Sequence, residues 1–309
     1  MRLGVLDIGS NTVHLLLVDA HHGAAPIPAS KLKIPLRLAE HLTAAGDVDD
    51  DAMSTLVDFI QRSQVLAEDM GASEVMAFAT SAIREAGNGD AVLRRVREET
   101  GLSIDVLSGE DEARITFLAV RRWYGWSTGR LLVMDIGGGS LELACGLDEE
   151  PDVAVSVPLG AGRLTRSHLT SDPPAKEQVR EVRRLARAQI AEVAGRIRRF
   201  GEPRLTAATS KTFRQLARIA GAAPSSEGIY VQRILTLDDV SATVTRLASL
   251  SAQERSAIPG VSEGRAGQLL AGAIVAEAAM ELLEIPRLSI CPWALREGVI
   301  LQRMDVMPT

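Results

Sequence analysis

The sequence predicts an α/β protein built from two duplicated domains. Short apolar strands alternate with helical segments along the chain, which is the order typical of α/β folds. Residues 3–10 align one by one with residues 131–138, at an offset of 128 positions. Each copy reads as an apolar strand, Asp-Ile-Gly, a small polar turn and a second apolar strand, which indicates a duplication. With 309 residues in the chain, we expect one domain over 1–120 and another over 121–309, facing each other across a cleft.

The first half begins with two strands that flank a polar turn. Apolar runs over Leu3–Ile8 and Val13–Asp19 are joined by Gly9-Ser10-Asn11-Thr12. A weaker extended segment lies between Ala25 and Ala39. Apolar spacing and glycine stops predict the remaining elements, which are a helix over Asp51–Met70, a strand over Glu74–Ala79, a helix over Asp90–Thr100, a strand over Ser103–Leu107 and a helix over Gly109–Trp123.

The second half repeats this order. Strands over Arg130–Ile136 and Leu141–Leu147 flank Gly137-Gly138-Gly139-Ser140, and Asp152–Val157 supplies a third strand. The elements expected after them are helices over Lys176–Phe200, Lys211–Ala220, Asp238–Leu250 and Gly264–Leu283, strands over Arg204–Ala208 and Arg287–Cys291, and a closing helix through Arg296.

Composition excludes several classes of protein. Charged residues make up 24% and hydrophobic residues 46% of the chain, which excludes a disordered or fibrous protein. The two cysteines, Cys145 and Cys291, form no CxxC motif, which excludes a disulfide framework and a thiolate zinc site. No secretory segment and no apolar run long enough for a membrane helix is present. We expect a soluble cytoplasmic protein with neither membrane nor nucleic acid as a partner.

Charge is spread unevenly along the chain. Residues 1–120 carry 10 basic and 19 acidic side chains, whereas residues 121–309 carry 24 and 21. Within the second half, residues 163–218 hold 14 basic and 5 acidic side chains. This segment indicates either a surface for a polyanionic partner or a solvated helix face, and charge alone leaves both interpretations open.

The two Asp-Ile-Gly turns are candidate phosphate-binding sites. Glycine lets backbone N–H groups approach an anion, and Ser10, Asn11 and Ser140 add side-chain donors. Asp7 and Asp135, each at the end of a strand, are placed to position Mg²⁺ or its waters. A single such hairpin is most simply a turn. The matched pair instead predicts phosphate held from both sides.

An acidic segment at the start of a helix supplies a candidate base. Residues 108–114 read Ser-Gly-Glu-Asp-Glu-Ala-Arg. A capping box explains Ser108 and Asp111, and an i,i+4 ion pair with Arg114 explains Glu110. Neither requires Glu112. A carboxylate in the first turn stays ionised beside the helix dipole, which suits a base that activates water for attack on phosphorus.

Two strand-to-helix junctions gather further phosphate-binding groups. In the first, Arg84 stands in a first turn that normally prefers acids, and bidentate contact with phosphate would explain it. In the second, Ser210 and Lys211 follow Thr209 at the start of a helix, where hydroxyls, N–H groups and one lysine come together. No P-loop and no HExxH motif is present, and the five histidines show no metal-ligand spacing.

These motifs together resemble the exopolyphosphatase/guanosine pentaphosphate phosphohydrolase (Ppx/GppA) family. The matching segments follow the family order along nearly the whole chain: 7–12 (DIGSNT), 79–86 (ATSAIREA), 108–114 (SGEDEAR), 135–142 (DIGGGSLE) and 294–299 (ALREGV). The resemblance implies the actin-like, ribonuclease H-like superfold shared with sugar kinases and Hsp70 ATPases, which agrees with the duplicated halves.

The resemblance also implies an activity and roles for individual residues. The family removes terminal phosphates from inorganic polyphosphate, or the 5′-γ-phosphate from guanosine pentaphosphate, usually with Mg²⁺, for which Mn²⁺ is an alternative. By position, the base falls on Glu112, and the metal and water-positioning acids fall on Asp135 and Glu142 with Asp7 nearby. The phosphate contacts fall on Ser10, Asn11, Arg84, Gly137, Gly138, Gly139 and Ser140.

The sequence departs from the family pattern in two places, and both favour polyphosphate over a guanosine nucleotide. Residues 209–212 (TSKT) replace a Gly-rich segment, and the lysine there would crowd a base. The chain also stops where longer members continue, which predicts short polyphosphate as substrate. The sequence leaves other functions open: guanosine pentaphosphate hydrolysis, binding of guanosine penta- or tetraphosphate as inhibitor, a non-catalytic sensor, and an actin-like kinase or ATPase. A homodimer also stays open.

Overall fold

Two mixed β-sheets form the framework of the protein, whose computed structural model describes residues 1–38, 41–43 and 45–307. The first sheet contains β1 (Arg2–Ile8), β2 (Val13–Asp19), β3 (Pro28–Ile34), β4 (Glu74–Ala79) and β5 (Asp105–Val106). Its strand order is β3-β2-β1-β4-β5, with β1 antiparallel to β2 and parallel to β4. β3 occupies the expected extended segment after Ala25, and the end of that segment, Ala39, lies outside the described residues.

The second sheet repeats the plan of the first. It contains β6 (Leu131–Ile136), β7 (Leu141–Gly146), β8 (Val153–Val157), β9 (Leu205–Ala208), β10 (Ile234–Thr236) and β11 (Arg287–Ile290). Its order is β10-β11-β9-β6-β7-β8, with β6 antiparallel to β7 and parallel to β9. The predicted duplication is therefore present in the strand order, and β10 extends the second sheet by one strand.

Helices connect the strands of both sheets. Their bounds are α1 (Asp50–Asp69), α2 (Ser81–Arg84), α3 (Gly89–Thr100), α4 (Gly109–Tyr124), α5 (Ala161–His168), α6 (Lys176–Arg198), α7 (Ser210–Ile219), α8 (Leu237–Leu247), α9 (Ala252–Ser256), α10 (Glu263–Leu282) and α11 (Leu295–Asp305). The long helices match their expected bounds within about two residues at most ends, α8 excepted. The short helix α2 lies at the strand-to-helix junction expected around Arg84. The short helices α5 and α9 were not expected, because too few apolar residues recur in them to give a helical period.

The described chain divides into two compact units. One comprises Met1–Ser108 together with the chain from Arg296 onward, and the other comprises Gly109–Leu295. The expected boundary at residue 120 would cut α4, which packs as a whole on the second sheet, where Phe117 and Val120 share a buried cluster with Val133. The last helix returns to the first unit, where Arg303 donates three hydrogen bonds to Glu74.

Each unit has its own apolar core. In the first, Leu6 and Ile8 of β1 pack with Phe59 and Ile60 of α1. In the second, the apolar faces of α6, α8 and α10 cover β6 and β7, and residues Leu269–Met280 of α10 are almost wholly buried. No helix in the described part of the chain is long and apolar enough to cross a membrane.

A buried arginine fixes the end of α4. Arg121 has no exposed surface, and its guanidinium donates to the carbonyls of Asp148, Gly129 and Gly146 and to Thr128 Oγ1. A buried cation is tolerated when its donors are satisfied in this way. The contacts hold α4, which carries Glu112 at its other end, to the β7–β8 hairpin.

Candidate active site

Three acidic side chains meet at one end of the second sheet. Glu112 lies in the first turn of α4, Asp135 near the end of β6 and Glu142 near the start of β7. Asp135 and Glu142 face each other across the antiparallel β6–β7 pair. Glu112 and Glu142 are only 8% and 5% exposed, whereas the neighbours of Glu112 in the acidic segment, Glu110 and Asp111, are exposed.

Burial and neighbouring negative charges both change the pKa of Glu142. Burial raises the pKa of Glu142 well above its ordinary value of 4.5, and the negative charges of Glu112 and Asp135 raise it further. Hydrogen bonds from Ser140 and Ser156 act in the opposite direction, and Ser156 Oγ lies 2.8 Å from Glu142 Oε1. Facing carboxylates in a water-poor site are stable only with a proton or a cation between them.

We expect the raised pKa of Glu142 to appear as a pH dependence of stability in metal-free protein. A carboxyl whose pKa is higher in the folded state binds protons more tightly there, so the free energy of unfolding should fall as pH rises above about 4.5. Glu142→Gln should remove that fall. Urea denaturation in EDTA at several pH values between about pH 4 and 8 measures the effect. Glu254, whose pKa hydrogen bonding to Ser251 lowers, is the control: Glu254→Gln should not flatten the curve. An unchanged slope in Glu142→Gln would contradict the assignment.

Cations and a hydroxyl surround Asp135. Burial raises the pKa of Asp135, whereas a hydrogen bond from Thr209 and the charges of Arg214 and Arg265 lower it. Burial also lowers the pKa of Arg265 to about 10, with further lowering by Arg214, so Arg265 still carries its charge at neutral pH. The acids therefore lie beside groups that attract an anion.

The turn between β6 and β7 presents its N–H groups in one direction. The carbonyls of Gly137, Gly138 and Gly139 all accept hydrogen bonds from α5, at 2.9–3.0 Å, from Ala161 N and from Arg163 N and Nε. In a trans peptide the N–H points opposite to the C=O. The N–H groups of Gly138, Gly139 and Ser140 therefore point away from α5, as in the backbone concavities that bind phosphate.

Gly160 lets α5 approach this turn. A Cβ atom at Gly160 would lie 2.2 Å from the carbonyl carbon of Gly139 and 2.4 Å from that of Gly138. The φ of Gly160 is −69°, which any residue adopts, so space and not backbone freedom requires glycine here.

The equivalent turn of the first unit differs in charge. Gly9 N donates to Thr12 O, as Gly137 N does to Ser140 O. Asp7, however, faces His14 across β1–β2, at the position that Glu142 holds in the second unit. The guanidinium of Arg296 lies 3.5 Å from Asp7 Oδ2 and contacts the His14 ring. The charge of Asp7 is thus already compensated.

The other predicted residues of the first unit lie near the same turn. Arg37 N donates to Asn11 O, and Ser10 lies beside Asn11. Thr80 N donates to Ile8 O, which places the start of α2 at the end of β1. Arg84 donates one guanidinium N–H to the carbonyl of Leu107 and so has a structural contact besides the predicted phosphate contact.

The donor set fits a magnesium ion best at Asp135 and Glu142. Within the described ranges, no group of three or more His, Cys, Asp or Glu side chains is arranged to hold a metal by itself. Mg²⁺ commonly takes one or two carboxylates and completes its shell with water and substrate phosphate. The facing carboxylates Asp135 and Glu142 meet that requirement, whereas Asp7 faces a histidine and is paired with Arg296.

Ser210 adopts a strained backbone beside this site. Its φ is +64°, in the left-handed region that favours glycine. Ser210 Oγ accepts from Phe213 N and its carbonyl accepts from Arg214 Nε. Lys211, the next residue, is exposed.

Ser210→Gly should raise the free energy of unfolding by about 0.5–1 kcal/mol, because glycine relieves the left-handed strain. Ser81→Gly is the matched control, because Ser81 follows the same Ala-Thr in the first unit but has no positive φ. It should lower stability. Urea denaturation of both variants measures the difference, and equal losses would contradict the strain.

Several arginines of the basic segment (residues 163–218) form ion pairs with glutamates. On α6, Arg183 pairs with Glu277 and Arg187 with Glu281 of α10, and Arg198 pairs with Glu284. This face of α6 is therefore packed on acidic partners. The positive charges that lower the pKa of Asp135 belong instead to Arg214 of α7 and Arg265 of α10.

The sequence did not indicate Gly160, Arg214 or Arg265, and it indicated Thr209 only as one of the hydroxyls at the start of a helix, not as a partner of Asp135. The Gly160-Ala161-Gly162 run is a signal that could have marked a close backbone approach. Arg214 and Arg265 lie within ordinary amphipathic helices, and nothing in their local sequence distinguishes them from surface arginines.

Comparison with known proteins agrees with this architecture. The profile of the Ppx/GppA phosphatase family matches residues 17–307. Exopolyphosphatase 1 of Mycobacterium tuberculosis is 52% identical over 305 residues, covering 99% of this chain and 89% of that protein. An exopolyphosphatase structure from Cytophaga hutchinsonii superposes with a TM-score of 0.88 at 24% identity, covering 100% of this chain and 99% of that one.

A Ppx/GppA enzyme structure from Aquifex aeolicus superposes with a TM-score of 0.82 at 26% identity, covering 98% of this chain and 99% of that one. The fold is the two-domain actin-like fold of these structures. The chain belongs to the Ppx/GppA phosphatase family.

Proposed function

We propose that the protein is an exopolyphosphatase, which hydrolyses terminal phosphates from inorganic polyphosphate with Glu112 as the base. The observation that carries the proposal is the position of three neighbouring carboxylates beside a turn whose three N–H groups point away from α5. Such a site can bind a phosphoryl group and activate water within the same unit. The 52% identity with a protein named Exopolyphosphatase 1 supports polyphosphate as the substrate.

The reaction is a hydrolysis in which water attacks the terminal phosphorus. Glu112 accepts a proton from the water as the new P–O bond forms, and the bond to the bridging oxygen of the next phosphate breaks. The N–H groups of residues 138–140 and the guanidinium groups of Arg214 and Arg265 stabilise the negative charge that shifts onto the phosphate oxygens. The products are orthophosphate and a chain one unit shorter.

Asp135 and Glu142 would hold Mg²⁺, or Mn²⁺ in its place. When bound, the ion supplies charge neutralisation for the transferred phosphoryl group. Asp135 is held by Thr209, and Glu142 by Ser156, so both carboxylates have fixed orientations. Asp7, Ser10, Asn11 and Arg84 are proposed to act from the first unit, with Asp7 in a supporting role because Arg296 already pairs with it.

Polyphosphate is favoured over guanosine pentaphosphate by the residues at the start of α7. Lys211 is exposed directly after the left-handed Ser210, and a cation there favours a further phosphate over a neutral base. Guanosine pentaphosphate is retained as the alternative substrate, because the family name covers both activities. The cytoplasm is the proposed location, in keeping with two buried free cysteines.

The test is phosphate release by the purified protein from four substrates: short polyphosphate, long polyphosphate, guanosine pentaphosphate and ATP. We expect release from polyphosphate, faster from short than from long chains, that EDTA abolishes and Mg²⁺ restores. Preferential release from guanosine pentaphosphate would support the alternative. Binding of polyphosphate without release from any substrate would instead identify a sensor, and release from ATP alone would identify an ATPase.

A further inference from the structure

We infer that Thr209 is a positioning residue for Asp135, a role that rests on the proposed function. Thr209 has no exposed surface, and its hydroxyl donates to Asp135 Oδ2. Its backbone N–H donates to Met134 O at 3.0 Å, so the same residue is also bonded to the strand that carries Asp135.

The hydroxyl of Thr209 does not cap α7. Thr209 is the residue before α7, where a threonine hydroxyl usually accepts a hydrogen bond from an N–H of the first turn. Here Thr209 makes no such bond, and Ser210 Oγ accepts from Phe213 N in its place. Ser210 therefore caps α7 in place of Thr209, and the Thr209 hydroxyl donates to the Asp135 carboxylate instead.

This hydrogen bond fixes the direction of the second carboxylate oxygen. A carboxylate next to a strand end can rotate about its last bond unless a donor holds one oxygen. With Oδ2 bonded to Thr209, Oδ1 has one direction in which to meet a cation or a water molecule.

Thr212 provides a matched comparison on the same helix. Its hydroxyl is also buried and donates to the carbonyl of Ile136 at 3.0 Å, next to the residue that Thr209 contacts. Thr209→Val and Thr212→Val each remove one buried hydroxyl at the start of α7 and keep the shape of the side chain. Only the first removes a hydrogen bond to a carboxylate.

The experiment compares Thr209→Val, Thr209→Ser and Thr212→Val with the wild type on short polyphosphate. We expect Thr209→Val to lower kcat about 10- to 100-fold with KM within about threefold, as for loss of a hydrogen bond to a charged group. Thr209→Ser, which keeps the hydroxyl, should recover kcat to within about threefold, and Thr212→Val should stay within about threefold of the wild type.

Two further readouts keep the interpretation specific. Urea denaturation in EDTA should show similar losses of stability for the two valine variants, and the rise in Tm on adding Mg²⁺ should shrink only in Thr209→Val. Thr209→Ala replaces the valine variant if that does not fold. Equal loss of kcat in Thr209→Val and Thr212→Val, or no rescue by serine, would overturn the inference. An inactive wild type would instead overturn the proposed function, and the inference with it.

Discussion

Replacing Glu112 by glutamine should lower kcat on polyphosphate by about 10³-fold, because removal of a general base costs between 10² and 10⁴. Of the three consecutive acids in the first turn of α4, only Glu112 is buried. Its negative charge raises the pKa of Glu142, so the two carboxylates lie close together. The glutamine keeps the size of the side chain but cannot take the proton from water. Substrate binding, measured by equilibrium titration with polyphosphate, should change by less than about threefold.

The same substitution should leave the fold at least as stable as before. The charge of Glu112 raises the pKa of Glu142, so its removal relieves repulsion between two buried groups. Loss of activity without loss of stability separates a catalytic role from a structural one. Glu110→Gln, on the exposed neighbour two residues earlier, is the control and should keep full activity. Loss of polyphosphate binding with an intact fold would make Glu112 a structural or ligand-contact residue, and unfolding would make it a structural one.

Replacing Gly160 by alanine should lower kcat/KM on polyphosphate by about 10²-fold or more, because the turn that binds the phosphoryl group must move. The added methyl would meet the backbone of Gly138 and Gly139 at 2.2–2.4 Å, a distance that no side-chain rotation can relieve. Displacement of the turn would break the hydrogen bonds from α5 to the carbonyls of residues 137–139. The three N–H groups would then lose their common direction.

Gly195→Ala is the control for this substitution. Gly195 lies within α6, and a methyl group there meets nothing within 4 Å. It should leave kcat/KM unchanged and raise the free energy of unfolding by about 0.5–1 kcal/mol, as alanine does in a helix interior. Steady-state kinetics and urea denaturation of both variants measure the contrast. Wild-type activity in Gly160→Ala would show that the close approach of α5 is not needed.

The duplication could be predicted from sequence because a local pattern encodes it. The offset of 128 residues places Asp7 on Asp135, and the strand orders of the two sheets agree with it. The same offset places His14 on Glu142, so the difference in charge between the two turns was present in the sequence. The strand registers are needed to interpret this difference, because they show that His14 faces Asp7 and that Glu142 faces Asp135.

Other parts of the site depend on tertiary packing and could not be predicted. Arg265 lies 130 residues after Asp135, in a helix without any motif, and only the packing of α10 brings its charge near that acid. Arg296 returns to the first unit through α11, whose membership the sequence left open. The helix bounds were predictable from apolar spacing, whereas the domain boundary was not, because α4 packs on strands that follow it.

We expect water to attack the terminal phosphorus of polyphosphate at the acidic cluster of Glu112, Asp135 and Glu142 in the second unit. A reaction in ¹⁸O-labelled water with polyphosphate of defined length, followed by mass spectrometry of the products, tests this expectation. We predict one ¹⁸O atom in each released orthophosphate, none in the remaining chains, and chains that shorten by single units. Label within the shortened chains, or products cut at internal positions, would contradict terminal attack, and no orthophosphate at all would contradict hydrolysis.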